Sequence, residues 1–199
     1  MLKELIKKLI YELWVIYGYW GWKCGQGISK KVTVLITYYN PARLKHMNHQ
    51  IRNLLKCAFV EQIVISNHNP AFKIEAHVTI SDPRLAFVNQ AVRRGCGYRW
   101  LVADGFSPQY LIVMDDDILL FPWQVEKLFS ALVAEPEIPH GFAGMVQQPD
   151  GFLDYQQKQE RRVDYICEIY AITGEQLQHY LQFHKQIVVN PDVARSVEQ

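Results

Sequence analysis

No two of the four cysteines, Cys24, Cys57, Cys96 and Cys167, stand at the Cys-x-x-Cys spacing that marks a zinc or redox site. Scattered singly through ordinary segments, they read as reduced thiols of a cytosolic protein. Charge of one sign is also lacking. The formal net charge is +1, which gives no support for a nucleic-acid partner, since such partners call for a basic excess. Internal repeats and low-complexity tracts are absent. With 49% hydrophobic and 21% charged residues, large-scale disorder is excluded. A chain of 199 residues is long enough for one domain with a real core.

A long uninterrupted hydrophobic run is missing too. Glu12 breaks the apolar N-terminal stretch below the ~18–20 residues that cross a bilayer. No small-residue cleavage site follows it, so a signal peptide fits poorly. What is there is an amphipathic helix. Leu2, Leu5, Ile6, Leu9, Leu13 and Ile16 recur at helical spacing with lysines on the other side, and Trp14, Tyr17, Tyr19, Trp20 and Trp22 follow. Two readings stay open. The helix could lie on a membrane, giving a peripheral contact at the inner face for an otherwise cytoplasmic protein. It could equally pack on its own domain or on a partner. Residues 1–28 are therefore read as helix plus linker, and 29–199 as the main domain.

Beyond Gly25-Gln26-Gly27 and Ser29-Lys30-Lys31, Val32 to Thr37 is a β-branched apolar run of the kind buried in parallel sheets. It ends in the turn Tyr38-Tyr39-Asn40-Pro41. A helix is expected over 42–56, and a strand over Gln62 to Ser66 that closes in Asn67-His68-Asn69-Pro70. His77 to Ile80 reads as a third strand, while Gly95 and Gly97 obscure the stretch from Leu85 to Leu101. The clearest strand is Tyr110 to Met114, running straight into Asp115-Asp116-Asp117; a helix is expected over Trp123 to Ala134. This order predicts an α/β fold with a mainly parallel central sheet. Ligands of such sheets bind beyond the carboxyl ends of the strands, where the three polar turns would meet.

Three adjacent aspartates repel, and burial raises the cost. A divalent cation relieves it, and hard oxygen ligands suit Mg2+ or Mn2+ with one or two carboxylates plus substrate phosphates. If strand geometry persists, Asp115 and Asp117, two positions apart, share one face, where one can meet ribose or metal and the other complete the metal shell.

Together, Val32 to Asn40, Ile63 to Asn69 and Tyr110 to Ile118 resemble the Rossmann-like nucleotide-binding half of A-type glycosyltransferases. Within that group the chain resembles family 2 and the family 64, exostosin C-terminal type. The latter likeness rests on the Tyr-Asn turn, the unbroken triplet and the later run Gly141-Phe142-Ala143-Gly144-Met145. It covers about residues 31 to 180. The resemblance implies a UDP-sugar donor bound with Mn2+ or Mg2+, and a glycan or glycoconjugate acceptor. It implies that Thr37, Tyr39 and Asn40 line the nucleotide pocket, and that Asn67 and Asn69 reach the base or ribose. Arg99 would grip a phosphate. Asp115 would face the ribose and share the metal, Asp116 would sit with them at the donor, and Asp117 would bind the metal that bridges the diphosphate.

The chain departs from the pattern at its end. Family members usually carry a second acidic motif, which would fall at or past Ser196-Val197-Glu198-Gln199, where Glu198 is a single acid. Either this is a truncated copy, or Asp164 or Glu168, in the strand-like stretch Val163 to Ile172, takes the catalytic role. His179 and His184 could complete a metal shell, but in a helix-like stretch they read first as surface or packing groups. The aromatic segment Gly151 to Tyr155, before the charged run Lys158 to Arg162, is placed to shape an acceptor site. Three functions compete: sugar transfer, donor binding without transfer, and nucleotidyl transfer. The last usually needs a glycine-rich basic loop after the first strand, where this chain has Tyr38-Tyr39-Asn40-Pro41.

Overall fold

A computed structural model describes residues 2–95, 97–156 and 160–187. The expectations that fell on Cys96, Lys158 and Glu198 lie outside them. The central sheet has five strands: β1 (Val32–Tyr38), β2 (Val60–Asn67), β3 (Leu85–Asn89), β4 (Tyr110–Asp115) and β8 (Ile169–Thr173), in the order β3-β2-β1-β4-β8. The first four run parallel, and β8 is antiparallel to β4. All seven residues of β1 are buried because it lies in the middle of the sheet. That explains its continuous apolar run, since a strand covered on both faces has no polar side.

Alternation along β1 divides the interior in two. Val34, Ile36 and Tyr38 join a core with α2 (Leu44–Leu55) and α4 (Pro122–Ala134), through Met47, Ile51 and Phe129. Leu35 faces the other way, with Val64, Leu111 and Val113, toward α3 (Tyr98–Asp104) and α5 (Gly174–Ile187), which contribute Val102, Leu177 and Leu181. Each such fully buried aliphatic side chain contributes about 1.5–3 kcal/mol over its exposed state. The sheet is thus clamped from both faces.

Three expectations are corrected. His77 to Ile80 is not a strand. His77 ends a short 3-10 turn over Ile74–His77, and the Asn48 side chain accepts from the Thr79 backbone N–H at 2.8 Å. The third strand is β3, whose Leu85 pairs with Ile63 in parallel register. The helix expected from residue 42 begins with a 3-10 turn, Pro41–Arg43, capped by the Asn40 side chain. Finally, strand geometry does not persist through the aspartates. β4 stops at Asp115, and Asp115 to Ile118 form a turn closed by the Ile118 N–H donating to the Asp115 carbonyl at 3.2 Å.

A second sheet, in the order β6-β5-β7, is built from β5 (Ala143–Gln147), β6 (Leu153–Gln156) and β7 (Tyr165–Cys167). Between β7 and β8 stands Glu168, whose φ of 68° is left-handed. For a residue with a Cβ this is an uncommon backbone state. It turns the chain from the small sheet into the large one. The N-terminal helix α1 (Leu2–Trp20) packs on α2. Trp14 is fully buried there and its Nε1–H donates to the Leu120 carbonyl at 2.7 Å. Gly18 lets the helices meet, because a Cβ at that position would lie 2.7 Å from Asn53 Oδ1. No helix among the described residues is long and apolar enough to cross a membrane. Cys24, Cys57 and Cys167 are free thiols.

Candidate active site

The strand order reverses direction at β1: β2 and β3 lie to one side, β4 and β8 to the other. Such a switch leaves a crevice beyond the carboxyl ends of the two diverging strands. Thr37 and Asp115 are register partners at that spot. A cavity of about 230 Å³ opens over them, lined by Thr37, Tyr39, Arg43, His68, Arg93, Arg94, Gly95, Arg99, Asp115 and Asp116. All of these come from the ends of β1, β2 and β4 and from the loop and helix after β3.

The three aspartates have separate environments. Asp115 accepts from Arg99 Nη1 at 2.7 Å and keeps 37% of its side chain open. Burial pushes its carboxyl above the ordinary value, against the pull of Arg99, and the charges of Asp117 and Asp116 add to the upward push. Asp116 is buried and turned into the protein. Its Oδ1 accepts from Arg43 Nη1 at 2.6 Å, and its Oδ2 lies 3.3 and 3.4 Å from the Tyr39 and Asn40 backbone N–H donors. Asp117 is half exposed, 3.1 Å from Arg43 Nη2. Each carboxylate therefore has an arginine partner, which offsets part of the like-charge repulsion within the protein.

This bears on a metal. Among the described residues no group of three or more His, Cys, Asp and Glu side chains is arranged to cage one. A hard divalent ion that takes its remaining ligands from phosphates and water needs only one or two carboxylates. Asp117 and Asp115, both partly open, fit that requirement. Asp116 does not, because its oxygens are engaged in bracing the β1 turn.

Thr37 Oγ1 is buried beside Asp115 with no hydrogen-bond partner among the described residues. A buried polar atom without a partner inside a cavity is one that a ligand can satisfy. The same cavity has a basic part of its lining, Arg93, Arg94 and Arg99. The Arg93 guanidinium sits 4.8 Å above the Tyr39 ring, and that of Arg94 4.7 Å above Tyr98. His68 is buried behind this loop. Its Nε2 lies 3.0 Å from Ser66 Oγ, and the Arg94 and Gly95 backbone also hydrogen-bonds to the ring. Burial, helped by the charge of Arg99, pushes the ring down to about 4, which keeps it neutral at ordinary pH.

Other expected residues lie elsewhere or do other work. Asn67 is fully buried: its Nδ2 donates to the Phe72 carbonyl and to Asn89 Oδ1, and its Oδ1 accepts from the Asn69 N–H. It builds the turn rather than presenting an amide to the cavity. Asn69 reaches back to the Tyr39 carbonyl at 3.1 Å and joins the two turns. Asn40 caps the 3-10 turn through the Ala42 N–H. Asp164 accepts from the Gln147 N–H at 2.8 Å on the small sheet, and Glu168 accepts from Tyr155 Oη–H at 2.9 Å. Neither lines the cavity. Glu168 is nonetheless the residue before Ile169, which pairs with Met114, the residue before Asp115. His184 is buried on α5 beside Tyr180.

Five lining residues are not among those the sequence pointed to: Arg43, His68, Arg93, Arg94 and Gly95. The signal for three of them was present, since Arg93-Arg94-Gly95 is a basic, glycine-ended loop after a strand. It was hidden by the misplaced third strand.

No protein-family model matches the sequence, and no curated protein matches it. Solved structures do resemble it. CMP:2-keto-3-deoxy-manno-octonic acid synthetase complexed with CTP superposes with a TM-score of 0.51 at 14% identity, over 77% of this chain and 78% of that one. GalNAc-T7 with UDP, GalNAc and Mn2+ gives 0.55 at 11% identity, over 73% of this chain but 36% of its own. The mannosyltransferase PcManGT from Pyrobaculum calidifontis, with GDP-Man and Mn2+, gives 0.54 at 16% identity, over 86% of this chain and 53% of its own. The chain thus spans about a third and about half of the two transferase chains. What it shares with these proteins is the fold, a mainly parallel central sheet flanked by helices, which is glycosyltransferase A-like.

Proposed function

We propose that the chain is a metal-dependent glycosyltransferase that moves a sugar from a nucleotide-sugar, of the UDP type, to an acceptor hydroxyl on a glycan or glycoconjugate. The observation that carries this reading is one cavity lined together by Thr37, whose Oγ1 has no partner among the described residues, by Arg93, Arg94 and Arg99, and by Asp115. Such a lining suits a diphosphate: guanidinium groups match phosphate oxygens, and the hydroxyl meets a polar atom of the donor. Tyr39 and the turn around Asn40 and Asn69 form the nucleotide side of the cleft. Two neighbours of the same fold hold a nucleotide diphosphate or its sugar together with Mn2+. That likeness extends to the fold alone.

Asp117, with Asp115, would hold Mn2+ or Mg2+, and Arg43 would then keep its bond to Asp116 while releasing Asp117. The bound ion would supply charge neutralisation on the departing nucleoside diphosphate. Arg93, Arg94 and Arg99 orient the phosphates toward it. The transfer breaks the bond from the anomeric carbon to the phosphate oxygen and joins that carbon to the acceptor oxygen, whose proton is released. Glu168 is the better placed acceptor of that proton, because it adjoins the residue paired with Met114; Asp164 is bonded to a backbone N–H of the small sheet.

A second reading is donor binding without transfer. It is favoured by the position of Asp164 and Glu168, neither of which lines the cavity. Calorimetry with UDP and Mn2+, followed by a UDP-release assay over a panel of sugar acceptors, decides between them. Binding with release supports the transferase, binding alone supports the module, and no binding of UDP with Mn2+ ends both. The likeness to a CTP-bound synthetase adds one control. Pyrophosphate release from a nucleoside triphosphate and a free sugar would make the protein a nucleotidyltransferase instead.

A further inference from the structure

α1 is apolar on two opposite sides, and among the described residues only one of them is covered. Tyr11, Trp14 and Gly18 face α2, where Trp14 is 1% exposed. Leu2, Leu5, Ile6, Leu9, Ile10, Leu13, Ile16 and Trp20 form the other side, each at least 48% exposed. At roughly 3.6 residues per turn this side is an arc about 140° wide. Trp20 and Trp22 close its end at 85% and 88% exposure. Isolated exposed leucines need no explanation, but a continuous apolar face of this size marks an interaction surface.

The flanks identify the occupant. A second copy packed as a coiled coil would use the seam Leu2, Ile6, Leu9, Leu13, Ile16 and Trp20, bordered by residues that pair by charge across it. Here the bordering positions are Lys3, Leu5, Ile10, Glu12, Tyr17 and Tyr19, mostly apolar, so the face is too wide and too poorly charged at its edges for that seam. A lipid surface asks for the opposite: a broad apolar face, lysines on the polar side and tryptophans at one end. Lys3 borders the face, Lys7 and Lys8 stand on the polar side with Lys7 paired to Glu4 at 2.9 Å, and Lys23, Lys30 and Lys31 follow the helix; all six are exposed, against Glu4 and Glu12. We infer that the outer face of α1 docks the folded protein on an anionic bilayer, lying in the headgroup region without crossing it. The inner face carries that attachment to the domain through Trp14 and the Leu120 carbonyl, three residues past Asp117.

Co-sedimentation of the full chain with phosphatidylcholine vesicles containing phosphatidylglycerol, against pure phosphatidylcholine vesicles, tests this. The wild type is expected to sediment with the anionic vesicles, with a blue shift of tryptophan emission. The double variant L9E/L13E, altered only at exposed positions, is expected to bind at least about tenfold more weakly with unchanged circular dichroism. K3Q/K7Q/K8Q is expected to lose the preference for anionic over neutral vesicles. Wild-type protein left in the supernatant would overturn the inference, as would equal sedimentation of L9E/L13E. So would a lipid-free dimer by analytical ultracentrifugation that L9E/L13E converts to monomer, since the face would then belong to a second copy.

Discussion

Arg43 donates to Asp116 through Nη1 at 2.6 Å while Asp116 in turn receives the backbone N–H groups of Tyr39 and Asn40. The middle aspartate thus fastens the turn after β1 to the turn after β4. The two members of the pair should not be equivalent. R43A leaves a buried carboxylate without its cation and is expected to cost about 3 kcal/mol. D116N keeps an acceptor for the backbone donors and frees an arginine that is already 40% exposed, so about 1–2 kcal/mol is expected. Urea unfolding of both variants measures the difference; a larger loss for D116N would refute this account of the brace.

Asp117 differs because it is half exposed and shares its arginine. D117A is expected to weaken Mn2+-dependent UDP binding by well over about tenfold, more than loss of an outer-shell partner does. The melting temperature should stay near that of the wild type. Calorimetry with and without Mn2+ checks it, and undiminished binding would remove Asp117 from the metal.

His68 makes the fold sensitive to acid. Its folded value is pushed down to about 4 from the ordinary value of about 6.5. Above pH ~6.5 the ring is neutral in both states, and its contribution is fully present. As pH falls from ~6.5 toward ~4 the unfolded chain takes up a proton that the folded ring refuses, so stability is lost by about 2–3 kcal/mol. Denaturant midpoints at neutral pH and near pH 4.5 should differ less in H68F than in the wild type. Because His68 backs the Arg93–Gly95 loop, H68F should also weaken UDP binding.

Gly18 controls the seating of α1. G18A would place a methyl group 2.7 Å from Asn53 Oδ1, and a cost of about 1–3 kcal/mol is expected as the helices part. Amide exchange along α1 should rise while that of β1 stays protected. Unchanged exchange would mean that the helices do not depend on the close approach.

The strands that carry the site were legible because their side chains are covered on both faces. Val32 to Tyr38 and Tyr110 to Asp115 have no polar alternation to obscure them. The third strand was not. All five residues of β3 are only partly buried, and Val78 and Ile80 pack against the core from outside the sheet, so the apolar run and the strand are different segments. Acidic residues announced the cleft, yet their roles depended on arginines 16 and 73 positions away in the chain. Asn67 shows the same limit from the other side: an asparagine after a strand signals a turn and a ligand equally well, and only its bonds to Phe72 and Asn89 decide.

Every residue lining the cavity lies between Thr37 and Asp116. The segment after Gly141 builds the small sheet, adds β8 to the edge of the main one and covers a face of it with α5. Substitutions in β5, β6 and β7 would therefore leave the described lining of the cavity unchanged, so long as Ile169 to Thr173 still seals the edge of β4.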